Sequence, residues 1–263
     1  MRGLEIGALD LPFVTPDEGK VEFADYATTE ELRERAQAAP GHSPEFVAPV
    51  DYVLRTGGWE SVPNEYDWIA AAHVIEHAPS MIDWLRSVGE KLKDRGILFL
   101  VIPDKRYTFD FFRPESTLGK IFADYLYKKT TPGISEVFDG YYYSRAINHE
   151  SVWQNDTKFD FDVQPTETAL ALAQSTADQY VDVHCNVFSD KSFSIIIEIL
   201  CREGWVPFAV EEIGAVGPYE ADFYCVMRRL VLEGSGRIYR NGFIGGVGVS
   251  YVWSINEPPV RNV

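Results

Sequence analysis

A chain of 263 residues, 46% hydrophobic and 24% charged, is long enough and apolar enough to bury a full core as one main domain. Its 40 acidic against 24 basic side chains give a net charge of −16, which repels a phosphate backbone and excludes nucleic acid as an expected partner. No apolar run reaches the roughly 18 residues that a membrane span requires, and Glu5 interrupts the first apolar stretch where a signal peptide needs continuity. The expectation is a cytoplasmic protein without a membrane partner. Cys185, Cys201 and Cys225 form an odd, widely spaced set with no CxxC pair, so they read as reduced thiols rather than a disulfide framework or a zinc knuckle.

In chain order, residues 4–6 form a short apolar strand that runs into Gly7, and residues 20–24 form a second strand ending at Asp25. Thr28-Thr29-Glu30-Glu31 reads as a capping box opening a helix to about Gln37. Residues 46–50 are expected to be a third strand closing on Asp51, and residues 66–72 a fourth. Ser80 then caps a helix with Met81, Leu85, Val88 and Leu92 on one face and Gly96 near its end. The unbroken apolar run 97–102 suits a strand covered on both faces. This alternation predicts an α/β, doubly wound, Rossmann-like sheet that is mostly parallel.

Residues 104–185 break the rhythm and read as an inserted helical and aromatic segment on the acceptor side, with helices near 118–128 and 167–177 and the aromatic run Tyr141-Tyr142-Tyr143. Ser189 or Asp190 caps another helix, with Phe193, Ile196, Ile197 and Leu200 inward. Strands at 206–213 and 221–230 follow, joined by a short Gly/Pro link that predicts an antiparallel hairpin at the end of the sheet. The main domain is thus expected over 1–233. Residues 234–263 form a Gly/aromatic tail in which Asn241-Gly242 signals a type I′ turn and a hairpin.

Ligands of open α/β sheets bind outside the carboxyl ends of the strands, where this chain places Gly7, Asp25 and Asp51. Glycine lets the backbone approach a ligand; the two carboxylates suit a ribose diol and an adenine amino group. Leu4-Glu5-Ile6-Gly7-Ala8, Asp67-Trp68-Ile69-Ala70-Ala71-Ala72-His73-Val74-Ile75-Glu76-His77, the run from Lys91 to Pro103 and the closing strand Asp222 to Arg229 resemble the motifs of class I S-adenosylmethionine (SAM) dependent methyltransferases. The resemblance covers residues 3–110 and, less closely, 185–230. It implies that Glu5 orients the methionine end, Gly7 and Ala8 meet the cofactor, Asp25 holds the ribose, Asp51 lies near the adenine and His73 lines the methionine side. Two departures stand out: the glycine-rich loop is reduced to Gly7-Ala8-Leu9-Asp10, and almost nothing precedes the first strand. The cover over SAM is therefore expected from another part of the chain or from the second subunit of a homodimer.

Residues 103–110 and 181–188 also resemble a bacterial subgroup of these enzymes associated with glycosyltransferases. The implied activity is methyl transfer to a small-molecule acceptor, an O-methylation of a sugar or another metabolite, with no resident metal. A hydroxyl acceptor needs a base, for which His184 and His77 are the candidates, since imidazole titrates near neutrality. Tyr107 joins them as a candidate catalytic group, while Asp104, Lys105 and Arg106 are the candidates for holding the acceptor. The bland alternatives are that His77 caps the following helix and that Lys105 and Arg106 pair with Asp104 and Asp110. Two rival functions remain at this level. One is a methyltransferase-fold scaffold without catalysis. The other is a zinc hydrolase using His73, Glu76 and His77 as H-x-x-E-H, which requires the motif inside a helix.

Overall fold

β1 (Arg2–Ile6) buries Gly3 through Ile6, as a strand covered by layers on both faces must. In the computed structural model, residues 1–15, 17–156, 165–177 and 179–231 are described in full, and 237–244, 247–254 and 257–261 as backbone. From β1 the chain passes through β2 (Lys20–Asp25), α1 (Thr29–Ala38), β3 (Tyr52–Val53), the one-turn α2 (Leu54–Gly57), β4 (Tyr66–Ala72), α3 (Met81–Lys91) and β5 (Leu92–Pro103). Four helices follow: α4 (Leu118–Leu126), α5 (Ile134–Tyr143), α6 (His149–Trp153) and α7 (Thr166–Ser175). Then come α8 (Asp190–Arg202), β6 (Phe208–Gly214) and β7 (Asp222–Arg229).

The main sheet has seven strands in the order β3-β2-β1-β4-β5-β7-β6. β1 to β5 pair in parallel, and β7 runs antiparallel between β5 and β6. This is the doubly wound sheet with a terminal antiparallel hairpin that the residue pattern predicts. Its core joins Leu4, Ile69, Leu98 and Leu100 of the strands to Leu85 and Val88 of α3 and Phe193 and Ile197 of α8, all buried. The three cysteines are buried thiols. α1 opens on the predicted capping box, with the Thr28 hydroxyl accepting from Glu31 N at 3.2 Å and the Glu31 carboxylate accepting from Thr28 N at 2.9 Å. No described helix is long and apolar enough to cross a membrane.

The structure corrects four local expectations. Residues 46–50 are not a strand: Pro44–Phe46 forms a 3₁₀ turn, and Ala48 N donates to Leu9 O at 2.8 Å. Pro49 also lacks the amide a ladder needs. β3 begins only after Asp51, so that residue lies at the amino end of its strand rather than the carboxyl end. Leu92 leaves the helix and opens β5 by pairing with Tyr66; a register shift absorbs the following residues, with Arg95 left-handed at φ 63°. The run through Tyr141 to Tyr143 is the last turn of a helix, α5, whose first turn is set by Glu136 accepting from Gly133 N at 3.0 Å. In the tail, β8 (Arg237–Ile244), β9 (Val247–Ser254) and β10 (Glu257–Arg261) make a three-stranded antiparallel sheet. Asn241 and Gly242 lie inside β8, opposite Ser250 and Val249, rather than at a turn. The β8–β9 connection, 245–246, lies outside the described residues.

Candidate functional site

Two cavities, each of about 490 Å³, open at the carboxyl edge of the parallel strands. Both volumes fall in the range of small-molecule sites. The first is framed by Gly7 after β1, Asp25 at the end of β2, and His73 and Val74 after β4. Gly7 sits at φ 74°, and a Cβ there would meet Val74 Cγ2 at 2.6 Å, so only glycine lets β1 turn past β4. The Asp25 carboxylate accepts from Ala27 N at 2.9 Å, and burial pushes its pKa above the ordinary carboxylate range against that hydrogen bond. Trp59 and Trp84, in edge contact at 6.4 Å, form part of another wall.

One side of this cavity comes from the segment after β5. Tyr180 stacks on Tyr26, beside Asp25, with ring centroids 4.3 Å apart, and Thr130 and Asp182 complete that side. The second cavity is built mainly from the same segment: Gly140 and Tyr141 of α5, Thr168, Ala169 and Leu172 of α7, with Phe109, Arg113, Val183 and His184. His77 and Asp182 line both cavities.

Between the cavities lies a cluster of imidazoles and carboxylates. His73 ends β4 in a left-handed turn, φ 54°, fixed by its N–H donating to Val101 O at 3.0 Å. Its Nε2 is 3.3 Å from Asp222 Oδ2, at the start of β7, and this contact raises the His73 pKa against burial. His77 follows in a 3₁₀ turn with Nδ1 2.9 Å from Asp182 Oδ1; burial lowers its pKa, but the carboxylates of Asp182 and Glu76 prevail and raise it. The His184 ring meets that of His77 edge-on at 4.7 Å, and its Nδ1 lies 2.5 Å from Asp110 Oδ2. Arg113 braces this pair, donating to Asp110 Oδ1 and to the His184 carbonyl, each at 2.9 Å. Burial opposes ionisation of Asp110, yet the contacts with His184 and Arg113 hold its pKa below the usual range.

Of the residues singled out from sequence, Gly7, Asp25, His73, His77 and His184 therefore converge here. Others are engaged elsewhere. Glu5 is buried, and its carboxylate accepts from Phe13 N at 2.9 and 3.0 Å, so it folds the loop after β1 instead of lining the cavity. Ala8 is outside the lining, where Leu9 takes its place. The Asp51 carboxylate accepts from Phe23 N at 2.9 Å. Asp104, 0% exposed, accepts from Arg106 and from Asp190 N, and Arg106 reaches Asp190 Oδ1 at 2.6 Å. Lys105 Nζ donates to Phe111 O at 2.8 Å, and Tyr107 stacks on Trp153 at 4.7 Å. These four brace the exit of β5 against α8 and α6; none lines either cavity. Asp110 was expected only as a partner of Lys105 or Arg106, and Asp182 and Asp222 had no expected role; only the fold brings these three to the histidines.

The H-x-x-E-H segment is not helical: the turn at Ile75–His77 is 3₁₀ and His73 is left-handed, so the two histidines lack the one-face geometry of a helical zinc motif.

No family model and no curated protein matches this chain. Among solved structures it is similar to an S-adenosylmethionine dependent methyltransferase from Mesorhizobium loti, at 12% identity over 87% of this chain and 90% of that one, TM-score 0.43. It is also similar to the CurJ carbon methyltransferase, at 15% identity over 88% of this chain and 49% of that one, TM-score 0.39. A third is a possible exported protein from Bordetella parapertussis, at 11% identity over 88% and 62%, TM-score 0.38. The chain thus spans about half to two thirds of the length of the latter two.

Proposed function

We propose that the chain is a SAM-dependent methyltransferase acting on a small-molecule acceptor, with the cofactor in the first cavity and the acceptor in the second. The observation that carries this reading is the shared wall: His77 and Asp182 border both cavities, so ligands of the two meet at one polar boundary. The residues of the first cavity suit the cofactor. Gly7 leaves open a backbone approach that a Cβ would close, Asp25 offers a carboxylate to a ribose diol, and the Tyr26–Tyr180 stack shields that end from water.

SAM supplies a methyl group on a sulfonium, which an acceptor lone pair displaces in line. The protein's part is to position that lone pair and exclude water. α5 and α7 wall the second cavity, while His77 and His184 present the polar edge at which a hydroxyl acceptor would be oriented. A sugar or related polyol is the acceptor class we favour, because this edge joins imidazoles, Asp182 and Arg113 to the aromatic faces of Phe109 and Tyr141.

Calorimetric titration with S-adenosylhomocysteine tests the reading. Micromolar binding is expected, with Asp25→Ala weakening it about 100-fold, the cost of about 2–3 kcal/mol for a hydrogen-bonded charge. A folded protein that does not bind would move the assignment to a scaffold that keeps the fold without the chemistry.

A further inference from the structure

We propose that Glu76, His77 and His184 bind a divalent first-row transition cation, of the zinc or cobalt type, at the boundary between the two cavities. Glu76 is 1% exposed, and neither of its carboxylate oxygens has a hydrogen-bond partner. A carboxylate removed from water without a partner is strongly disfavoured. Its ion-pair neighbours lie beyond hydrogen-bond reach. Those neighbours are ring nitrogens: Oε1 is 3.7 Å from His73 Nδ1, 3.9 Å from His77 Nε2 and 4.0 Å from His184 Nε2. Donor atoms sharing one tetrahedral cation through bonds of about 2.1 Å sit about 3.4 Å apart, so side-chain shifts of about half an ångström would close these groups around an ion.

The far nitrogens strengthen the case. His77 Nδ1 faces Asp182 at 2.9 Å and His184 Nδ1 faces Asp110 at 2.5 Å. In metal sites a carboxylate hydrogen-bonded to one ring nitrogen fixes the tautomer and turns the other lone pair toward the ion; Asp110 does this for His184, while Asp182 stands by His77 Nδ1 as an ion pair without hydrogen-bond geometry. Here both Nε2 atoms turn toward the same orphaned carboxylate, and the ligand atoms of Glu76, His77 and His184 all lie within 4.8 Å of one another. The backbone holds this arrangement, since Asn186 N donates to Glu76 O at 2.8 Å and brings the segment carrying His184 against the turn carrying His77. Asp110 is offset by Arg113 and Asp182 by Arg35, 3.8 Å away, which leaves the carboxylate of Glu76 for a dication to balance.

Two imidazoles and a carboxylate favour a first-row transition ion over magnesium or calcium, which prefer all-oxygen shells. Three protein donors leave positions for water or for an oxygen atom in the second cavity, which His77 and His184 line. The proposal departs from the sequence-based expectation of no resident metal. Cation binding stands whether or not the first cavity takes SAM; only the use of the ion on an acceptor rests on the methyltransferase reading.

The test is to strip the full-length protein with a chelator and titrate it with zinc chloride and with cobalt chloride, following heat and visible absorption. One equivalent is expected to bind, with Glu76→Gln and His184→Ala weakening it by about 100-fold and Asp110→Asn by about tenfold. His149→Ala, on α6, should leave it unchanged. Circular dichroism establishes that each variant is folded. If His184→Ala is not, Glu76→Gln keeps the size of the side chain and decides alone, together with X-ray absorption of the cobalt-loaded wild type, which must show imidazole scattering. Folded wild type that takes up no cobalt, equal binding by Glu76→Gln, or a cobalt spectrum without imidazole overturns the proposal.

Discussion

The two cavities are similar in volume and adjacent in space, yet they are assembled differently. The first is set by strand ends: Gly7, Asp25 and His73 each fall where a parallel strand stops, and their positions follow from the sheet. The second is set by helices α5 and α7 and by residues 182–184, which are far apart in sequence and meet only when the segment after β5 packs. The sheet therefore frames one cavity, whereas the segment after β5 builds most of the other and adds Thr130, Tyr180 and Asp182 to the first. A fold can retain its strand-end site and change its second ligand by altering the inserted segment.

That contrast can be tested by perturbing each side. Leu100→Ala, in a fully buried position of β5 between Ala71 and Cys225, should cost about 4 kcal/mol and disable both cavities together. A denaturation midpoint near that of the wild type would show that the sheet is not their common support.

Glu136 addresses the insertion. Burial opposes its ionisation, but Lys129 at 2.6 Å and Lys120 at 3.2 Å prevail and hold its pKa at about 2, against an ordinary value of 4.5. A pKa depressed on folding contributes stability that is fully present above about 4.5 and is lost as pH falls through about 2, about 3 kcal/mol in all. Glu136→Gln should therefore lower stability at pH 7 by up to that amount. The gap between variant and wild type should narrow below pH 4.5; a gap that stayed constant with pH would remove the ion pair as its cause.

The smallest expected effect falls where the two regions touch. Tyr180→Ala should weaken S-adenosylhomocysteine binding about fivefold, the worth of one aromatic stack of about 1 kcal/mol, with little change in melting temperature. Unchanged affinity would mean that the inserted segment does not cover the first cavity.

Much of the sheet was legible in the sequence because β5 contains the continuous apolar run 97–102, α3 carries its apolar residues at helical spacing and α1 announces its own cap. β3 was not legible: two residues of strand cannot show a period, and the apolar run before Asp51 spends Ala48 on the loop after β1. At the site, Gly7, Asp25 and His73 could be read because strand ends are local features. Glu5 was assigned by resemblance to a ligand role, yet its carboxylate is occupied by Phe13 N in this loop. Lys105 and Arg106 illustrate the opposite difficulty, since cations next to a strand end suit an anionic ligand as well as internal bracing. Only the positions of Phe111, Asp104 and Asp190 decide for bracing. The pairing of His77 with Asp182 and of His184 with Asp110 spans sequence separations over which no periodicity operates.

The reversed direction of β7 has one more consequence. Because it runs against β5, its first residue, Asp222, reaches the carboxyl edge and meets His73 there. During synthesis on the ribosome, the partner of a histidine made early in the chain thus emerges only after α8 and β6. A nascent chain halted before Asp222 holds His73 without that carboxylate, so this imidazole's surroundings are complete only once α8 and β6 have been made.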